Sequence, residues 1–214
     1  MKIKWLGHAS FLITSEAGIR IITDPYTTSE SFIYGEIKEL ADIVTVSHEH
    51  GDHNNVAAVR GKPEIVGGTA KAKGIKFSGI PTYHDSANGS LRGNNIIFRF
   101  EVDGVRVCHL GDLGHSLSSK QTAEIGKVDV LLIPVGGNFT IDARVATEVC
   151  GKLAPKVIIP MHFRNEKCPT FPIAGVDEFL KGKKGVFSLN ASEAEFKREK
   201  LPATTQIIVL KPVL

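Results

Sequence analysis

Three short and uninterrupted apolar segments constrain the fold of this chain more than any other feature. They lie at residues 43–46, 128–133 and 156–159. Segments of this length and composition are typical of β-strands that are covered on both faces of a sheet. Helices must supply part of that cover, and they are predicted at 116–125 and at 142–153, where apolar residues recur at helical spacing.

The remaining predicted strands are of a second kind, and most show the alternation of half-exposed antiparallel strands. They span 3–6, 10–14, 19–23, 75–80, 95–102, 105–108 and 206–211. The dipeptide Asp103-Gly104 is a turn signal between two of them. Because strands followed by a helix occur twice along the chain, we expect an α+β fold with two sheets between helical layers, a four-layer αββα sandwich.

Composition bounds the domain count and the partners. A chain of 214 residues with 42% hydrophobic content can bury one substantial core, and no linker is visible, so a single domain over 1–214 is expected. The net charge of +3 comes from 26 basic and 23 acidic residues without a concentrated basic face, so no nucleic-acid partner is expected. No apolar run approaches the roughly 18 residues that span a membrane, and no signal peptide is indicated.

Cysteine usage points to a reducing compartment. Cys108, Cys150 and Cys168 are widely spaced and form no CxxC pair. This pattern indicates neither a disulfide framework nor a thiolate zinc site. Reduced thiols in the cytosol fit best, so a cytoplasmic location is expected.

The segment 48–53, His-Glu-His-Gly-Asp-His, directly follows the apolar strand 43–46. Loops at strand ends combine a rigid support with freedom of side-chain direction. His48 and His50 are two residues apart, so in an extended backbone they project to the same side and can share one ion. Gly51 permits a turn that can aim the following aspartate and histidine at a neighbouring ion.

The chemistry of this segment predicts a metal site. Imidazole and carboxylate ligands without thiolate suit zinc, and also iron or manganese. The alternative is a solvated histidine-rich loop without a metal ion. Chance would produce the HxHxDH string on the order of once in a few thousand such sequences, so the metal site is favoured.

The HxHxDH segment after a buried strand resembles the signature of the metallo-β-lactamase superfamily, and the resemblance covers nearly the whole chain. It implies three further ligands at strand ends, and these correspond to His84, Asp112 and His162, which follow predicted strands at 75–80, 105–110 and 157–159. It also implies how the ligands divide: one ion is held by His48, His50 and His84, the other by Asp52, His53 and His162, with Asp112 as the bridge.

Other motifs resemble a branch of small hydrolases related to ascorbate-6-phosphate lactonase. They are the segments 5–10 (WLGHAS), 23–25 (TDP), 109–115 (HLGDLGH) and 134–140 (PVGGNFT). Two departures from other relatives narrow the activity. Flavodiiron proteins carry Glu at the position of His50, and zinc β-lactamases commonly carry Cys at the position of Asp112, so neither oxygen reduction nor penicillin hydrolysis is favoured.

The predicted activity is hydrolysis of an ester, lactone or phosphoester bond of a small molecule. Two divalent ions, with zinc favoured and manganese or iron as alternatives, would lower the pKa of a shared water and yield a hydroxide. Asp112 would bridge the ions, and Asp52 would hydrogen-bond the hydroxide or pass a proton to the leaving group. A nucleic-acid phosphodiesterase of the same fold and a non-catalytic ligand-binding protein are the alternatives; few basic residues lie between His53 and His84, and an intact ligand set disfavours loss of catalysis.

Several histidines outside the motif have open roles. His8 could pair with Asp24 beside the site or be a structural histidine. His109 is expected to be structural or to orient a neighbouring ligand. His115 follows Gly114 and could reach the substrate.

Two further groups could contact the substrate. Gly136 and Gly137 could cradle an oxyanion with their N–H groups, or simply form a tight turn between a strand and a helix. Arg92, Arg164 and Lys167 are candidates to bind an anionic substrate group, although an exposed cation is usually only solvated.

Overall fold

Two β-sheets packed face to face form the centre of the computed structural model, which describes residues 1–213. In chain order the strands of this part of the chain are β1 (Lys2–Gly7), β2 (Ser10–Thr14), β3 (Arg20–Thr23), β4 (Ile43–Thr45), β5 (Glu64–Val66), β6 (Ala70–Ala72), β7 (Ile75–Tyr83), β8 (Asn94–Val102), β9 (Val105–His109), β10 (Val130–Pro134), β11 (Val157–Met161), β12 (Val186–Ser188), β13 (Glu193–Glu195) and β14 (Gln206–Val209). The six-stranded sheet has the order β13-β1-β2-β3-β4-β5, and the eight-stranded sheet has the order β12-β14-β11-β10-β9-β8-β7-β6.

The α-helices of the described residues are α1 (Ser119–Ile125), α2 (Ala143–Leu153) and α3 (Val176–Leu180). α1 begins later than predicted because the Ser118 hydroxyl accepts the N–H of Gln121, and the Gln121 side chain caps Ser118 in return. α2 begins after Asp142, as predicted, with the carboxylate of that residue accepting the Val145 N–H at 2.7 Å. Within residues 1–213, no helix has both the length and the apolar character needed to cross a bilayer.

Alternation along the first sheet divides its side chains between two apolar clusters. Ile21 and Ile43 lie in the core between the sheets, whereas Ile22 and Val44 lie in a cluster on the outer face. All four side chains are buried. Burial on both faces explains why strand β4 has an uninterrupted apolar sequence.

The outer layers confirm the predicted sandwich class, with one local difference. Helices α1 to α3 contribute Ile125, Val149 and Phe179 to the core that includes the second sheet. Over the first sheet, by contrast, the cover comes from segment 24–42 and the 3-10 helix Val56–Ala58. Aromatic side chains of the long segment fill this layer.

The sequence did not predict β5, β6, β12, β13 or α3. These elements are only three to five residues long, and most of their side chains are exposed or half-buried, so they lack a clear apolar pattern. β13 falls in the mixed-charge run 193–200 and pairs with β1 at the sheet edge.

The direction of the strands determines where the polar loops gather. β3 and β4 are parallel, and so are β9, β10 and β11. β7 runs in the direction of β9, because both are antiparallel to β8 between them. The loops after β3, β4, β7, β9 and β11 therefore leave their sheets in a common direction, and the predicted metal ligands lie in four of these loops.

Candidate metal centre

The loop after β4 brings His48 and His50 together with His84, which follows β7. One ring nitrogen of each histidine lies within 4.8 Å of those of the other two. His48 and His84 are buried, and His50 is exposed at the mouth of the site. This spacing suits three ligands of a single ion, and it is the first set that the family resemblance implies.

Asp112 lies at the centre of the cluster, and its side chain is buried. Its Oδ2 atom is 3.2 Å from the Nε2 atoms of three histidines, His53, His84 and His162. Asn95 fixes this loop, because its side-chain oxygen accepts the Asp112 N–H at 2.9 Å. The carboxylate thus contacts histidines of both predicted sets, which is the position that a bridging ligand requires.

Asp24, which follows β3, organises histidines of both sets through two hydrogen-bonded branches. Its Oδ2 accepts the Nδ1–H of His53 at 2.9 Å and the hydroxyl of Ser47 at 2.5 Å. Because the Ser47 hydroxyl proton is donated to Asp24, the Ser47 oxygen is left to accept from Nδ1 of His48, at 2.9 Å. Both rings are therefore held through Nδ1 and direct Nε2 into the site.

The same orientation occurs at His84. Its Nδ1 lies 3.1 Å from the backbone carbonyl of Phe139, which can only accept, so the ring again donates through Nδ1. Metal-binding histidines in proteins are usually held in this way through the nitrogen that does not bind the ion. The sequence indicated neither Ser47 nor Phe139 as an orienting group.

Several buried atoms that face this centre have no hydrogen-bond partner among the described residues. They include Nε2 of His48, Nε2 of His53 and Oδ1 of Asp112. Buried polar atoms are normally paired, since an unpaired one costs on the order of 1–3 kcal/mol. These atoms are also nitrogen and carboxylate donors, so the residues present fit a divalent ion.

The second predicted set differs in detail from the structure. The ring nitrogens that gather within 4.8 Å there belong to His8, His53 and His162. Asp52 lies at the rim, with Oδ2 3.3 Å from Nε2 of His8 and 3.8 Å from Nε2 of His53. His8 therefore pairs with Asp52 and not with Asp24, whose carboxylate is used by His53 and Ser47. His8 lies on the loop between β1 and β2, which the ligand motif does not include.

The electrostatics favour a cation at the centre. Burial raises the pKa of Asp112, but His162 and His53 more than offset this effect and hold it well below its usual range. Burial likewise lowers the pKa of His53, but Asp112 and Asp24 raise it well above its ordinary value. Burial also lowers the pKa of His48 to about 3, with a smaller effect from His53, so this ring is neutral, as a ligand must be. A metal ion would replace the positive charge that His53 otherwise supplies.

The other two histidines have structural contacts. Nε2 of His109 lies 2.8 Å from the Ala9 carbonyl, and its Nδ1 accepts the N–H of Gly111, so this buried ring links the two sheets beside the site. His115 accepts the N–H of Tyr83 at 3.2 Å through Nε2. His115 lines a separate surface cavity and does not line the cavity above the metal cluster.

The two glycines after β10 form a turn. The N–H of Gly136 donates to the His162 carbonyl at 3.1 Å, and that of Gly137 donates to Ile141 at 3.2 Å. Both donors are occupied, so the oxyanion cradle that was one reading of this sequence is not formed.

A cavity of about 270 Å³ opens directly above the cluster. The residues that line it are His50, Asp52, His84, Arg92, Asp112, Phe139, His162 and Phe171. Metal-ligand candidates form its floor, and two aromatic rings form part of its wall. A second cavity of about 390 Å³ adjoins it, because His50 and Arg92 line both.

The chain is similar to known proteins over most of its length. The profile of a β-lactamase superfamily domain matches residues 2–162. Two proteins named UPF0173 metal-dependent hydrolase, from Carboxydothermus hydrogenoformans and Archaeoglobus fulgidus, are 33% and 32% identical to it; each alignment covers 83% of this chain, and 88% and 87% of the two relatives.

A solved structure from Thermotoga maritima is described as a candidate zinc-dependent hydrolase of the metallo-β-lactamase superfamily. It superposes with a TM-score of 0.80 at 38% identity, over 98% of this chain and 97% of the other. The similarity therefore includes both sheets and all the strand ends described above.

Proposed function

The chain is a metal-dependent hydrolase of the metallo-β-lactamase superfamily, and we propose that it uses two divalent ions, with zinc favoured, to cleave an ester, lactone or phosphoester bond of a small molecule. Manganese or iron would suit the same nitrogen and oxygen donors. The ligands that we assign are those of the motif and the later strand ends: His48, His50, Asp52, His53, His84, Asp112 and His162.

The orientation of the buried histidines is the observation that supports two ions best. Nδ1 of His53 donates to Asp24 directly, whereas Nδ1 of His48 donates to Ser47, which in turn donates to Asp24. Apart from their shared group with Asp24, the two rings diverge: His48 groups with His50 and His84, and His53 groups with His8 and His162. Both present a free Nε2. One ion takes three or four ligands from a protein, and the cluster offers more than that.

The roles of this chain's residues follow from their positions. Bound in this cluster, two ions would acidify a water molecule and offset the charge that develops on the attacked group. Asp112 would hold both ligand groups at a fixed separation, because it contacts histidines of each. Asp52 lies at the rim and lines the cavity, so its carboxylate can accept a proton from the attacking water and deliver it to the leaving group.

The size of the cavity supports a small-molecule substrate. Its volume of about 270 Å³ is close to the lower end for small-ligand sites. Half of the residues between His53 and His84 lie in strands of the two sheets, and few residues of this segment are basic, which disfavours a clamp that would hold a nucleic acid. The nucleic-acid phosphodiesterase is therefore the weaker candidate.

We also propose a cytoplasmic location, because the three cysteines are buried and form no disulfide, as is usual in a reducing compartment.

Metal analysis followed by a substrate panel tests the proposal. Protein prepared without chelator should contain close to two ions per chain, and His48→Ala and His53→Ala should each lose one ion preferentially. His115→Ala is the matched control, since this histidine lies outside the cavity and should leave the metal content unchanged. One ion at saturation, or equal loss of both in each ligand variant, would contradict the two-ion assignment.

The panel should contain ester, lactone, thioester, phosphodiester and phosphomonoester substrates. We expect the protein to hydrolyse at least one of these substrates. A chelator should abolish that hydrolysis, and added zinc should restore it. Metal-replete protein that cleaves none of these classes would contradict the proposed activity, whatever its metal content.

A further inference from the structure

We propose that Arg92 determines substrate specificity by binding a carboxylate or phosphate group of the substrate, at a distance from the bond that is cleaved. The inference rests on the proposed function and names the class of substrate. Three observations support it: the Arg92 guanidinium lies at the cavities above the cluster, the Phe139 ring holds it in place, and its hydrogen-bond donors are unused.

Arg92 lies where the two cavities above the cluster meet. It lines both, together with His50. Among the described residues that line these cavities, Arg92 is the only one with a lysine or arginine side chain. The other two candidate cations, Arg164 and Lys167, line neither cavity.

The guanidinium group is held in place but has no anionic partner among residues 1–213. Its carbon atom lies 5.5 Å from the centre of the Phe139 ring, within the range of a cation–π contact. No salt bridge or side-chain hydrogen bond of Arg92 occurs within the described residues. An arginine that is positioned by an aromatic face and keeps its donors free matches the planar geometry of carboxylate and phosphate groups.

The loop that carries Arg92 is rigidly built. The Asp85 carboxylate accepts four backbone N–H groups of this loop, at 2.7–3.0 Å, from Ala87, Gly89, Leu91 and Arg92. A carboxylate with four donors is ionised at neutral pH, and it is directed toward the loop backbone. Asp85 therefore positions the backbone of Arg92 without neutralising its side chain.

Phe139 connects this anion site to the metal cluster. Its carbonyl orients His84, and its ring supports Arg92. One residue thus sets the position of the guanidinium relative to a proposed ligand of the first ion. Phe171, with its ring centre 5.1 Å from that of Phe139, extends the apolar wall between the two sites. The expected substrate is a small ester or lactone with an anionic group and a short apolar link.

A matched pair of esters tests this assignment. The p-nitrophenyl monoester of succinate carries a distant carboxylate, and p-nitrophenyl methyl succinate has the same scissile bond without the charge. The zinc-loaded wild type should prefer the anionic ester in kcat/KM by about 10- to 100-fold, which is the range for one charge-assisted hydrogen-bonded contact. Arg92→Met should reduce this preference to near unity by lowering kcat/KM on the anionic ester alone.

Two variants control the comparison. Arg92→Lys keeps the charge but not the planar group, so it should retain a partial preference. Arg164→Met removes an equivalent charge outside the cavities and should retain the wild-type preference. All three variants should keep the wild-type zinc content, because neither arginine is a ligand. A preference that survives Arg92→Met, or that disappears in Arg164→Met, would overturn the proposal.

Binding of non-hydrolysable anions separates this inference from the proposed activity. By calorimetry, the zinc-loaded wild type should bind glutarate about 10- to 100-fold more tightly than butyrate, and Arg92→Met should bind the two equally. The same experiment with phosphonoacetate in place of glutarate shows whether Arg92 prefers a phosphate-like group or a carboxylate, because the preferred group should bind more tightly to the wild type than to Arg92→Met. If neither ester is cleaved but glutarate binding depends on Arg92, the hydrolase assignment fails for esters and the anion site stands. Equal binding of glutarate and butyrate by the wild type would refute the anion site.

Discussion

Replacing Asp24 by Asn should weaken metal binding at both proposed ion sites, although Asp24 is assigned as a ligand of neither. Its Oδ1 accepts the Ser47 N–H at 2.8 Å, while its Oδ2 accepts from the Ser47 hydroxyl and from His53 Nδ1. An aspartate can accept all three hydrogen bonds. An asparagine has one oxygen and one NH₂ group, so it cannot.

The loss follows from the two possible orientations of the asparagine. With its NH₂ group toward His53, it donates to Nδ1, so the ring must carry its proton on Nε2 and can no longer bind an ion through that atom. With the NH₂ group toward the Ser47 N–H, two buried donors face each other. The metal-free variant can adopt the first orientation, which avoids the contact between two donors, but metal binding requires the second. Metal affinity should therefore fall by the cost of that contact, on the order of 1–3 kcal/mol, or about 10- to 100-fold. Loss of an orienting partner has a similar typical effect on metal affinity, about 10- to 100-fold.

The assay is a competition between the protein and a chromophoric zinc chelator at constant pH, which gives both dissociation constants. Asp42→Asn is the matched control, because it removes the same charge from a carboxylate that pairs with Arg20, just before β4 and away from the site. Ser47→Ala is a narrower perturbation: it removes only the branch to His48, so only the ion of His48, His50 and His84 should bind more weakly. Wild-type dissociation constants for Asp24→Asn at both sites, in a folded protein, would refute the reasoning.

Two further predictions concern the bridging carboxylate and a distant ion pair. Asp112→Ala should reduce turnover by more than about 100-fold even when both metal ions are bound, because the carboxylate contacts histidines of both ligand groups and fixes their separation. An active, metal-replete variant would contradict the bridging role. Asp129→Asn should lower the free energy of unfolding at pH 7 by about 1–2 kcal/mol, since Asp129 accepts two side-chain hydrogen bonds from Arg106 at 2.7 and 2.8 Å. The Arg106 guanidinium holds the pKa of Asp129 below its unfolded value, so this stabilisation is present above about pH 4 and is lost as the pH falls through the folded pKa. Urea denaturation at pH 7 and pH 3 measures it, and a difference that does not shrink at pH 3 would contradict the assignment to the ion pair.

The sequence predicted the parts of this molecule that depend on local pattern. Strand β4 was evident from its apolar run, and the loop after it from the spacing of His48 and His50. The sandwich class followed from the order of the predicted strands and helices. The positions of His84, Asp112 and His162 followed from the family resemblance, and the structure brings these residues together. The comparisons confirm the family, and the metal-binding roles of the individual residues remain predictions.

The contacts that the sequence did not predict join residues distant in the chain. Asn95 lies on β8, in an ordinary alternating strand, and nothing in its neighbourhood indicates that it holds the loop of Asp112. Ser47 directly precedes the motif and looks in the sequence like an ordinary strand-end residue. Its role is visible only in the fold, where it lies beside Asp24. The pairing of Asp24 with His53 rather than His8 depends on how β1, β2 and β3 are aligned. That alignment results from packing between the sheets, which has no short-range signature.

The backbone conformation at the site is a further feature that the local sequence pattern did not predict. Three residues of the centre, His8, Asp24 and His162, have positive φ angles of 50°, 38° and 51°. This left-handed region is disfavoured for residues with a Cβ atom, at a cost of about 1 kcal/mol or more each, and glycine would relieve it. Glycine would also remove an imidazole or a carboxylate from the centre of the cluster.

The chain therefore accepts local strain where a side chain is needed at a strand end, and the surrounding hydrogen bonds maintain it. The His8 carbonyl accepts from the Trp5 indole at 3.0 Å and from the His162 N–H at 3.3 Å, so two of the strained residues hold each other in place. Strain of this kind persists only where the surrounding structure maintains it, and it is common at functional sites, although turn residues such as Lys73 and Ala154 also have positive φ angles in this chain. His8 belongs to this cluster by its position, although the ligand motif omits it, because one of its ring nitrogens lies within 4.8 Å of those of His53 and His162.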